Sequence, residues 1–225
     1  MNSRNYIKSK EKNKNHFSWN GVEVFVKDPV ETEGFSLDDC FEEISTKIPN
    51  HFLTNVETIY IGQFDNLKER ELQAVYENSS IFVTNIQDSQ EDFIDDIVHE
   101  IAHAVEEVAK FQIYSDGKLE EEFLTKRRSL FSILKSEGYS VDLHSYLTAE
   151  YSLDFDEHLY REIGYPALDL YSTNIFYSPY AATSLNEYFA NGFEAFYHFG
   201  DIQFLKNNCK ILYKKLELLM EKEYD

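Results

Sequence analysis

The chain has 225 residues, 43% of them hydrophobic, enough for the core of one domain or two small ones and too many for wholesale disorder. Asp and Glu number 41 against 21 Lys and Arg, and the resulting net charge of −20 repels phosphate backbones and anionic lipid, so no nucleic acid and no membrane is expected as a partner. With only two cysteines, Cys40 and Cys209, a disulfide-stapled scaffold and a multi-thiolate zinc module are both excluded.

Residues 1–15 form a Lys/Asn-rich polar run and read as a flexible tail. They lack the apolar stretch of a signal peptide, and nowhere do 18 consecutive apolar residues occur. A cytoplasmic protein is expected, or one exported by a route that reads no such signal.

Residues 22–26 alternate apolar and polar, a strand signal. Residues 36 to about 47 read as a helix with Ser36 as N-cap and Asp39 three residues on. The β-branched and aromatic run 56–61 predicts a strand, and 72–76 with 81–85 flank the turn-like 77–80, which suggests a hairpin. Residues 89 to about 111 give the strongest helix signal, with Ile94, Ile97, Ile101, Val105 and Val108 on one apolar stripe. A second amphipathic helix spans 118–135 with Gly138 as its stop, a short helix lies near 155–163, and 184–199 and 202–222 read as two closing helices. Strands early and helices late make an α+β protein. The expected organisation is one domain over 16–225, with a long helical insert at about 114–179.

Chemistry concentrates in the long helix, at His99-Glu100-Ile101-Ala102-His103. Histidines at i and i+4 project from one helical face, so two imidazoles can grip a single Zn²⁺. Glu100, beside the first, can then take a proton from water on that metal. A catalytic zinc wants a third protein ligand and an open position. Ala109 stands where a metzincin carries its third histidine, which excludes that class. A carboxylate from a later helix remains: Glu187, Glu194 or Glu162. Glu187 is favoured because Asn191, one turn later, can accept a ring N–H and orient a ligating histidine.

At these residues the chain resembles the zincin metallopeptidases of the gluzincin type, and among them the anthrax lethal factor-like group that includes the Pro-Pro endopeptidases. His99-Glu100-x-x-His103 continues as Ala104-Val105-Glu106-Glu107, and Asn186-Glu187-Tyr188-Phe189-Ala190 resembles that family's ligand-bearing helix. Tyr180 stands seven residues before Glu187, the spacing at which the family keeps an oxyanion-stabilising tyrosine. The resemblance implies a zincin-like fold with a small N-terminal sheet, the HExxH helix and a helical C-terminal lobe. It implies one Zn²⁺ per chain on His99, His103 and Glu187, with Glu100 as general base and Tyr180 as oxyanion donor. The activity it implies is a zinc-dependent endopeptidase acting on a peptide or protein substrate. Ile81 and Val83, just before the zinc helix, are expected either on an edge strand to which a peptide adds or on a core strand of the hairpin. The alternatives weighed are a catalytically silent binding module that keeps the fold, and an accessory protein of a phage or mobile element.

Overall fold

A computed structural model describes residues 16–220, so the tail expected at 1–15 lies outside the described residues. Five strands form one sheet in the order β1-β2-β3-β5-β4: β1 His16–Trp19, β2 Val22–Val26, β3 Thr58–Ile61, β4 Ala74–Glu77 and β5 Ser80–Val83. The central pairs β2·β3 and β3·β5 are parallel, while β1·β2 and β4·β5 are antiparallel hairpins. The β4–β5 turn places Asn78 and Ser79 at φ 51° and 59°, the left-handed pair that matches the twist of a two-residue hairpin.

Strand periodicity sorts the two sheet faces. Val22, Val24, Ile59, Ile61, Ile81 and Val83 are fully buried on one face. On the other, Phe25, Tyr60 and Phe82 stack across neighbouring strands at 5.4 and 5.1 Å between ring centroids. Helix α1 (Leu37–Lys47) is capped as expected, Ser36 Oγ accepting the Asp39 N–H at 3.2 Å. Its Phe41 meets Phe93 edge to face, and Trp19 donates its indole N–H to the Phe41 carbonyl and to Ser45. A short helix α2 (Asp65–Glu69) precedes the β4–β5 hairpin.

Helix α3 (Gln90–Tyr114) is the longest element, started by Ser89 accepting the Asp92 N–H at 3.1 Å. Its apolar stripe is buried at Ile94, Ile97, Ile101 and Val105, whereas Val108 is 47% exposed. The chain divides between Ala104 and Val105, inside this helix, into two compact units.

The second unit is helical: α4 Lys118–Ser136, α5 Leu143–Tyr146, α6 Leu153–Glu157, α7 Tyr165–Ser172, α8 Leu185–Phe193, α9 Ile202–Asn208 and α10 Lys210–Met220. Wider π-helical turns extend α6 over His158–Ile163 and α8 over Glu194–His198. The closing helix expected at 202–222 breaks at Cys209. There the half-buried Glu122 carboxylate accepts the Ile211 and Leu212 N–H groups at 2.7 and 3.1 Å and starts α10 anew. Lys126, almost fully buried, donates to the backbone carbonyls of Ile175 and Asn208. Among the described residues no helix is long and apolar enough to cross a membrane. The fold is α+β, as the order of elements predicts.

Candidate metal centre

The residue order on α3 puts His99 and His103 one turn apart. Their Nε2 atoms are 3.2 Å from each other and the rings meet at 76° with centroids 4.9 Å apart. Two nitrogens each bonded to a tetrahedral Zn²⁺ at 2.0–2.1 Å are about 3.3 Å apart, so the separation equals the edge of a zinc tetrahedron. Glu100, between them, is only 6% exposed, and its Oε2 accepts the backbone N–H of Tyr76 at 2.5 Å. That bond fixes where the carboxylate sits.

Tyr76 belongs to β4, and its phenol is in turn held by Asn55 through the carbonyl at 3.2 Å and the side-chain amide at 2.6 Å. One turn before Glu100, Asp96 accepts from Gln87 at 3.0 Å, and burial pushes its carboxyl up to about 6.

In the second unit, Ser184 caps α8 by accepting the Glu187 N–H at 3.2 Å, and the adjoining Leu185 N–H donates to the Ala149 carbonyl at 2.8 Å. The first turn of α8, which carries Glu187, is therefore pinned at both of its leading residues. Tyr180 lies in a single 3₁₀ turn, Tyr180–Ala182. Burial, then the charge of Glu187, push its phenol far above the usual range, so it remains an O–H donor at any working pH. Tyr114 is treated alike by burial and by Glu106, to whose Oε1 it donates at 2.6 Å, and Glu187 adds to the effect.

His99, His103 and Glu187, each half-buried, offer one ligand atom apiece, and these atoms lie within 4.8 Å of one another. Two imidazoles and a carboxylate at that spacing suit Zn²⁺ with a fourth position left for water or substrate. Of the alternative carboxylates, Glu162 accepts from His158 Nδ1 at 2.9 Å, and neither it nor Glu194 belongs to the group.

Two expectations are corrected. Ile81 and Val83 are not on an edge: β5 is enclosed by β3 and β4, both side chains are fully buried, and the edge strands of the sheet are β1 and β4. Ile81-Phe82-Val83 is a continuous apolar run, which suits a strand enclosed by neighbours. Asn191 does not serve as a ring N–H acceptor: its Oδ1 takes the Ser178 hydroxyl and its Nδ2 donates to the Glu187 carbonyl at 3.1 Å. It ties the segment leading to Tyr180 onto the helix that carries Glu187. Tyr76 and Tyr114 escaped sequence reasoning. Tyr76 acts through a residue 24 positions away, Tyr114 through one two turns back on its own helix, and nothing sets them apart from the other 14 tyrosines.

Compared with protein-family models, with curated proteins and with solved structures, the chain matches none.

Proposed function

We propose that the protein is a zinc-dependent endopeptidase of zincin type. The observation that carries this reading is the grouping of His99, His103 and Glu187 within 4.8 Å beside a buried Glu100. A Zn²⁺ held by those three side chains would polarise a peptide carbonyl and lower the pKa of water towards ~7. Glu100 takes a proton from the attacking water and delivers it to the leaving amine, which balances the hydrolysis. The Tyr180 hydroxyl donates to the oxygen that becomes negative as the carbonyl turns tetrahedral. The substrate backbone lies along β4, an edge strand of the sheet, beyond the Tyr76 N–H that Glu100 already holds.

The decisive experiment is elemental analysis of the purified protein beside Glu187→Gln. One zinc per chain is expected, lost or much weakened in the variant. A wild-type protein that takes up no zinc, even after addition, would overturn the reading. A zinc-loaded protein that cleaves nothing in a broad peptide library would keep the metal centre and remove the peptidase.

A further inference from the structure

Away from the metal centre, α4, α5 and α6 line a cavity of about 600 Å³ within the second unit, a size typical of small-molecule sites. Arg127, 1% exposed, lines it. Its guanidinium lies over the Phe155 ring at 3.8 Å, and it donates to the Thr148 and Ser145 carbonyls at 2.6 and 2.9 Å. Among the described residues no carboxylate pairs with it, and burial lowers its pKa only to about 10, so the charge persists at neutral pH. Three buried polar atoms of this one cluster lack a hydrogen-bond partner: Arg127 Nε, Tyr146 Oη and His158 Nε2. Two of them are obligate or available donors facing no acceptor, a costly arrangement that an anionic group relieves. The exposed Asp142, Glu150 and Asp154 also line the cavity. A simple anion therefore meets repulsion at the rim, whereas a ligand carrying both signs is matched twice. Among the described residues the group of three or more side chains that could hold a metal ion is His99, His103 and Glu187, none of which lines this cavity.

We propose that this cavity binds a small zwitterion, an α-amino acid or a short peptide with free termini. Its carboxylate is taken by Arg127 and Tyr146, and its ammonium by the rim carboxylates. Calorimetric titration of the full chain, treated with chelator so that no metal-dependent cleavage intervenes, tests this with alanine, trialanine, trialanine amide and N-acetyl-trialanine. Saturable binding of alanine or trialanine is expected, and which of the two binds tells amino acid from peptide. Amidation should weaken trialanine at least tenfold and acetylation at least threefold. Tyr146→Phe, which removes only a hydroxyl that has no partner in the free protein, should weaken binding at least fivefold and leave the melting temperature unchanged. Glu187→Gln should leave binding intact. The proposal is overturned if neither alanine nor trialanine binds, if capped and free forms bind alike, or if binding follows Glu187→Gln rather than Tyr146→Phe.

Discussion

Glu100 accepts a backbone N–H from β4, and its replacement separates chemistry from metal binding. Glu100→Ala should retain zinc by elemental analysis and lose about 10²–10⁴-fold in kcat, the range of a general acid–base group. Turnover surviving that change would remove Glu100 from the mechanism. Tyr180→Phe should likewise keep zinc and lower kcat by about 10²–10³-fold with little change in KM, since an oxyanion donor acts chiefly in the transition state. Asp96 gives a pH signature. Burial lifts its pKa from 3.8 to about 6, so between those values the folded protein holds a proton that the unfolded chain has released. Stability therefore falls as pH rises through that window, and the penalty is complete above it. Asp96→Asn escapes the penalty while keeping an acceptor for Gln87. In metal-free protein it should be the more stable by about 1–3 kcal/mol at pH 7, with the advantage fading towards pH 4, as read from urea midpoints.

At the level of the element, α8 depends on a residue that has no side chain. A Cβ on Gly192 would land on Cδ2 and Cγ of Leu212, which is 1% exposed on α10. Alanine gains about 1 kcal/mol of helix propensity over glycine, but overpacking a closed interface costs about 1–3 kcal/mol. Gly192→Ala should thus lower the melting temperature, and trimming Leu212 to Val should restore part of it. The long helices and their caps were legible in the sequence because local periods and Ser36, Ser89 and Ser184 encode them directly. So was the i, i+4 histidine pair, which needs only helix geometry. Strand order was not legible: the same apolar run in β5 serves an edge or a centre, and only pairing with β3 and β4 decides between them. Asn191 was misread for a related reason, since its partner Ser178 lies 13 residues earlier across a turn that no local pattern specifies. The break at Cys209 depends on Glu122, a carboxylate 87 residues away from it in sequence.

For the whole molecule, the charge of −20 acts on encounter rather than on fold. If the peptidase reading holds, basic peptides should be cleaved with higher kcat/KM than neutral ones of equal length. The gap should narrow as salt is raised from about 0.02 to 0.3 M, where the screening length shrinks below ~10 Å. Equal rates for the two classes at low salt would place the acidic groups on a surface that substrates do not meet.

The two cysteines fall one in each compact unit, Cys40 in the first and Cys209 in the second, and both are fully buried. Burial, with Glu43 and Asp39 nearby, pushes the Cys40 thiol up to about 12, and burial raises Cys209 as well. Neither sulfur is a competent nucleophile in the folded chain, so an alkylating reagent reads only opening events. The molecule therefore carries two internal clocks, and mass spectrometry of the labelled peptides times each unit separately. Equal labelling rates in mild urea mean that the units open together, and unequal rates give the order in which they let go.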